Sequence, residues 1–171
     1  CASAGRTPLA NGCVGGGTGA TVGKYRGLGY AMKSGFGTCA VQLGGLKVGA
    51  AVVVNALGDV FDLDSGAQIA GLRTEDGAGL RSTEEEMWRD GERMGALPGG
   101  NTTIGAVFTN GAFTKSQLGK IASMAHNGYA RTIRQVHTTA DGDLKYDLSV
   151  GSAPAEKNLL GTLTAHVMRR A

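Results

Sequence analysis

The chain has 171 residues, the length of one domain with a real core. Its net charge of +3 is spread along the sequence without a dense run of Lys and Arg, which argues against a nucleic-acid stripe. There is no apolar stretch of about eighteen residues and no signal peptide, so no membrane span is expected. Thirty glycines are about two and a half times the usual ~7%, without a Gly-X-Y period, which excludes collagen and points to tight turns and close backbone approach. Cys1, Cys13 and Cys39 are an odd number of cysteines with no CxxC, so neither a disulfide framework nor a zinc site is indicated and a cytoplasmic setting is expected. The sequence opens on Cys1 rather than Met, and its start reads like the middle of a domain, so a preceding segment is expected.

A glycine-rich tract fills 12–29. Two apolar runs, Cys39–Leu43 and Leu46–Asn55, are joined by Gly44-Gly45 and predict a β-hairpin. The second run is apolar on both faces from Val48 to Val54, as a central strand would be. Ala56–Asp59 is a turn, and Val60-Phe61 adds a short strand. Residues 62–100 read as a solvated loop with one short helix, marked by Ser82 and Glu85 at capping-box spacing. Leu97-Pro98-Gly99-Gly100 breaks the chain before a strand over Thr102–Thr109. Thr114 caps a helix from Lys115 to about Arg134, with Leu118, Ile121, Ala122, Ala125, Tyr129 and Ile133 on one face. A loop over 137–143 leads to a strand, Leu144–Val150. A last helix runs from Lys157 to about Arg170, with Leu159, Leu160, Leu163 and Val167 inward. Strands cluster and helices follow, which gives an α/β (α+β) sandwich with a mixed sheet.

The sharpest local feature is Gly99-Gly100-Asn101-Thr102-Thr103. A mid-chain Thr hydroxyl lacks a base. If the bond before it breaks, the new α-amine, with a pKa of roughly 8, can take the hydroxyl proton. Flexible glycines ahead and a rigid strand behind suit attack on the preceding carbonyl. The same spacing also fits a loop entering a strand through two β-branched residues. Asp141-Gly142-Asp143 offers two carboxylates to tune such a site, or a polar turn. Asn55 offers an amide to an oxyanion, or ends a strand. Lys24 offers a cation, or is an exposed lysine. Gly23-Lys24 fails as a phosphate loop, because Thr18 and Tyr25 stand where Gly and Ser or Thr are needed. Gly15-x-Gly17-x-x-Ala20 lacks the preceding strand of a dinucleotide fingerprint. His126, His137 and His166 have no metal spacing and read as surface or helix-end residues, and Trp88 stands alone.

Four blocks together resemble the DmpA-type aminopeptidase family, which includes nylon-oligomer hydrolases and a pantetheine-amide hydrolase branch. They are VGGGTGATVGK at 14–24, GGLKVGAAVVVNALGDVFD at 44–62, GNTTIGAVFTN at 100–110 and MAHNGYARTIRQVHTTADGD at 124–143. The resemblance implies a four-layer α/β/β/α sandwich and self-cleavage on the N-terminal side of a Ser or Thr. It makes Thr102 the nucleophile and Asn101 the residue before the cut. Asn55 becomes the oxyanion amide, Asp141 and Asp143 the acidic pair of Thr-type members, and Lys24 an active-site lysine of the nylon-hydrolase branch. On this basis 1–101 is the C-terminal part of an α-subunit segment and 102–171 a β-subunit segment, within one domain.

The family's long N-terminal portion, with its Gly-Gly-Ser/Ala-rich motif and a Tyr lining the site, has no counterpart here. The resemblance implies no cofactor or metal, a small peptide or amide substrate, and a homo-oligomer completed by that N-terminal segment. Peptides, β-peptides, oligoamides and pantetheine amides all remain open as substrates. Two rival readings stand beside it. One is an acyltransferase of the related ornithine acetyltransferase type, although Ala96–Asn101 lacks its Lys-Gly-rich signature. The other is a non-catalytic fragment.

Overall fold

The computed structural model describes residue 5 and residues 7–93 and 95–171. The elements in chain order are β1 (Thr21–Val22), β2 (Met32–Lys33), β3 (Phe36–Leu43), β4 (Leu46–Asn55), β5 (Asp59–Phe61) and β6 (Gln68–Ala70). There follow α1 (Thr83–Asp90), β7 (Thr102–Gly111), α2 (Lys115–Thr132), β8 (Ile133–Arg134), β9 (Leu144–Ala153) and α3 (Lys157–Arg170). The main sheet has the order β3-β4-β7-β9. Its first two pairings are antiparallel and β7–β9 is parallel. A parallel pair needs a crossover, and α2 supplies it. Strand β5 joins β6 and β8 in a smaller sheet, and β1 pairs with β2.

One face of the main sheet is apolar by alternation and packs on α2 and α3. Val48, Ala50 and Val52 of β4 and Val107 of β7 meet Ile121, Ala125 and Tyr129 of α2 and Leu160, Val167 and Met168 of α3. The two helices cross closely at Gly128, where a Cβ would lie 2.7 Å from Met168 Cβ and 2.8 Å from Ala165 O. The opposite sheet face carries Ile104, Phe108, Leu144, Tyr146, Leu148 and Val150, all exposed. An apolar sheet face of this kind is the one on which the second sheet of an α/β/β/α sandwich packs. The helix layer and one sheet of that sandwich are therefore present.

The hairpin, its Gly44-Gly45 turn and the central place of β4 follow the sequence, although β3 starts earlier, at Phe36. The cap of α2 is reciprocal: Thr114 Oγ1 accepts from Gln117 N, and Gln117 Oε1 accepts from Thr114 N. Three expectations about the later elements need correction. Helix α2 stops at Thr132, because Ile133 and Arg134 turn extended to pair with β5. Leu159 is exposed, while Thr164, Ala165 and Met168 join the buried side of α3. Strand β9 runs on to Ala153.

The segment 62–100 is not merely solvated. It holds β6, and buried Asp59 pins it by accepting from Leu72 N, Thr83 N and Thr83 Oγ1 at 2.9, 2.6 and 2.8 Å. An ion-pair cluster of Arg26 with Glu86 and Asp90 ties α1 to the glycine-rich tract. Ser82 does cap α1, accepting from Glu85 N at 3.2 Å. Cys1 lies outside the described residues. Cys13 and Cys39 are free thiols. No described helix is long and apolar enough to cross a membrane.

Candidate active site

The register of β4 against β7 places Asn55 directly opposite Thr102, so their side chains share a sheet face. Thr103, Gly105 and Val107 point to the helices and are buried. By alternation Thr102 belongs to the open face, at its polar end. Its hydroxyl donates to the carbonyl oxygen of Asn101 at 2.5 Å. The same oxygen accepts from Gly142 N at 2.8 Å. Two donors thus polarise the one carbonyl that the Thr102 hydroxyl adjoins. Gly100 turns the chain into this geometry with φ +83°. Asn101 is buried, and its Nδ2 donates to Pro98 O and, at 3.3 Å, to Ala140 O.

Lys24 and Asn55 form one flank. Lys24 is only 4% exposed, which corrects the view of it as a surface lysine. Its backbone N–H bonds Leu57 O at 2.9 Å, so the glycine-rich tract runs beside the end of β4. Its Nζ donates to Asn55 O and Asn55 Oδ1, each at 2.9 Å. Asn55 Oδ1 also accepts from Thr21 N at 3.1 Å. With its oxygen doubly engaged, the amide must aim Nδ2 forward, and Nδ2 donates to Gly100 O at 2.9 Å. Burial pulls the Lys24 pKa below the ordinary lysine range, and the charge of Asp141 works against that pull. An open cavity of about 510 Å³ adjoins this flank, bounded by Thr21, Lys24, Asn55, Pro98, Gly99 and Gly100.

The loop before β9 forms the other flank. It continues the parallel register of β9 beyond the last ladder pair: Asn101 bridges Asp141, and Ile104 pairs with Leu144. Asp143 stands where a strand residue would face Thr103, and its Oδ1 accepts from Thr103 N at 2.6 Å. Asp141 turns inward to its own loop, where Oδ2 accepts from Thr138 Oγ1 at 2.6 Å and Thr138 N at 3.1 Å. Gly142 sits between them. A Cβ there would lie 3.0 Å from Thr102 Oγ1, so a side chain at this position would press on the hydroxyl.

The structure thus gathers Thr102, Asn101, Asn55, Lys24, Asp141 and Asp143 at one end of the sheet. It adds two residues that spacing did not single out. His137 Nδ1 lies 2.8 Å from Asp143 Oδ2, and His126 Nδ1 lies 2.7 Å from His137 Nε2. Eleven residues separate the histidines, and only the turn after β8 brings them together, so the sequence carried no local signal. Among the described residues no group of three or more His, Cys, Asp or Glu is placed to hold a metal ion.

Known proteins share both the sequence and the fold. An uncharacterized aminopeptidase of Mycobacterium leprae is 35% identical over 148 residues, which are 86% of this chain and 39% of that protein. The 6-aminohexanoate-oligomer endohydrolase of a Kocuria species is 28% identical over 111 residues, 64% of this chain and 31% of the relative. L-aminopeptidase D-Ala-esterase/amidase of Ochrobactrum anthropi, a variant of the Ntn hydrolase fold, superposes with a TM-score of 0.61 at 18% identity. That superposition covers 96% of this chain and 44% of the other, and it shows the fold. The chain thus spans about two fifths of the length of the mycobacterial relative. The family model described as peptidase family S58 matches residues 1–170, and the chain belongs to that family.

Proposed function

We propose that this chain carries the reaction centre of a self-processing amidohydrolase or aminopeptidase whose nucleophile is the N-terminal threonine released by cutting between Asn101 and Thr102. The observation that carries this reading is the polarised Asn101 carbonyl. Its oxygen accepts from both the Thr102 hydroxyl and the Gly142 amide, at 2.5 and 2.8 Å. Attack of Thr102 Oγ on that carbonyl moves the acyl group from nitrogen to oxygen and frees the Thr102 amine. Water then hydrolyses the ester, leaving the carboxylate of Asn101 and a free Thr102. The chain divides into 1–101 and 102–171.

In the mature site the Thr102 amine takes the hydroxyl proton as oxygen attacks a substrate amide carbonyl. Asn55 Nδ2, aimed by Lys24 and Thr21, donates to the developing oxyanion together with the Lys24 ammonium. The Thr102 amine returns the proton to the leaving amine, and water releases the acid from the acyl-enzyme. Asp141 and Asp143 hold the loop and the strand start. The substrate is a small peptide or amide. Further copies of the chain, and the part of the longer relatives that lies outside it, are the expected cover for the open sheet face.

The test uses the protein with its complete natural sequence. Mass spectrometry of the Thr102→Ala variant should find one uncut species and no amide hydrolysis. Normal cutting of Thr102→Ala would refute the mechanism. Transfer of the acyl group to an added amine in preference to water would move the protein to the acyltransferase class.

A further inference from the structure

We infer that His137 is a positioning residue for Thr102, acting through Asp143 and backed by His126; this rests on Thr102 being the nucleophile. Three contacts make the chain of support. Asp143 Oδ1 accepts from Thr103 N at 2.6 Å. Asp143 Oδ2 lies 2.8 Å from His137 Nδ1 and 3.3 Å from His137 N. His137 Nε2 lies 2.7 Å from His126 Nδ1, with the rings 4.4 Å apart between centroids.

The Asp143 side chain is only 3% exposed, so its second oxygen has little water to turn to once the imidazole is removed. With His126 Nδ1–H donating to His137 Nε2, the neutral imidazole of His137 keeps its hydrogen on Nδ1 and donates it to Asp143. His126 is seated on α2 edge-on to Tyr129, with ring centroids 5.9 Å apart, so the outer imidazole is braced by the helix layer.

The backbone is bent to make this contact. Among the described residues the only non-glycine positions with positive φ are Gln135 and His137, each at +61°. Both lie in the turn between β8 and the Asp141–Asp143 loop. Residues held in the left-handed region persist where the surroundings over-determine them, and they gather at functional sites.

The device has a clear task. Once the Asn101–Thr102 bond is cut, Thr102 is a chain end, and chain ends fray. The β9 ladder begins only at Leu144, so Thr103 N–H depends on the Asp143 side chain for its bond on that side. Misplacement of a nucleophile by about 1 Å costs on the order of 100-fold in rate.

The experiment uses the complete natural protein with His137→Gly, His137→Asn, His126→Leu and Thr102→Ala. Glycine keeps the left-handed backbone and removes the ring. Asparagine also accepts that backbone and offers an amide N–H to Asp143. The half-time for release of the Thr102 terminus is followed by mass spectrometry, and kcat and KM are measured on the cut fraction. His137→Gly is expected to slow release and lower kcat by about 10- to 100-fold with KM within about twofold. His137→Asn should recover most of that loss, and His126→Leu should show a several-fold loss.

Wild-type release and kcat in His137→Gly overturn the inference, as does an Asn variant no better than Gly. If His137→Gly does not fold, an unchanged kcat in His126→Leu overturns it equally. Uncut Thr102→Ala beside a normal His137→Gly sinks only this inference; cut Thr102→Ala sinks the nucleophile assignment beneath it.

Discussion

The two flanks of Thr102 are built differently. On the β4 side, the Lys24 ammonium reaches an amide side chain, and the amide is aimed across the sheet toward Gly100 and the cavity. On the β9 side the contacts end on backbone: Gly142 N to Asn101 O, and Asp143 Oδ1 to Thr103 N. In the proposed mechanism the first arrangement presents donors to the reacting oxygen. The second fixes where the peptide bond and the strand start lie. Substitutions on the β4 flank should therefore damage chemistry, and those on the β9 flank should damage geometry.

Between the two flanks, the largest expected effect is at Asn55. Asn55→Ala removes the forward N–H donor, leaves Lys24 Nζ with only a backbone oxygen there, and should lower kcat by roughly 100- to 1000-fold. Steady-state kinetics on the cut enzyme checks this, and a loss confined to KM would place Asn55 in binding instead. Next comes Gly142→Ala. The added Cβ meets Thr102 Oγ1 at 3.0 Å and should slow self-cleavage more than substrate turnover, because Gly142 N serves the Asn101 carbonyl. Equal slowing of both would erase the distinction between the flanks.

The smallest effect concerns stability. Burial pulls His126 down to about 4 from 6.5, reinforced by Lys145 and His137 and opposed by Asp143. The unfolded chain takes a proton on this group between those values and the folded chain does not. Its contribution is thus present above pH 6.5 and lost as pH falls toward 4. Urea unfolding at several pH values should show His126→Gln with a shallower acid slope than wild type. An identical slope would contradict a half-buried, neutral imidazole at His126.

Much of the scaffold was legible because its signals are local. Gly44-Gly45 between apolar runs marks the hairpin, and Thr114 marks the start of α2. The end of α2 was not legible, since Ile133 continues the helical stripe but is taken by β5. The role of Asp59 was hidden because its partners, Leu72 and Thr83, are brought to it only by the folded loop. Thr102, Asn55, Lys24, Asp141 and Asp143 are candidates through the motif blocks, whereas spacing alone leaves each of them a bland alternative. His126 and His137 escaped because two left-handed residues, invisible in composition, make their meeting possible. The open apolar face explains why β4 reads as apolar on both sides: Ala51 and Val53 lie beside Ala106 and Ile104 on that face, while Val48, Ala50 and Val52 face the helices.

N-terminal sequencing of the active, full-length protein tests the central claim most directly. A chain beginning Thr-Thr-Ile-Gly, matching 102–105, is the expected result. Amide hydrolysis by a preparation in which the bond between Asn101 and Thr102 is wholly intact would contradict it.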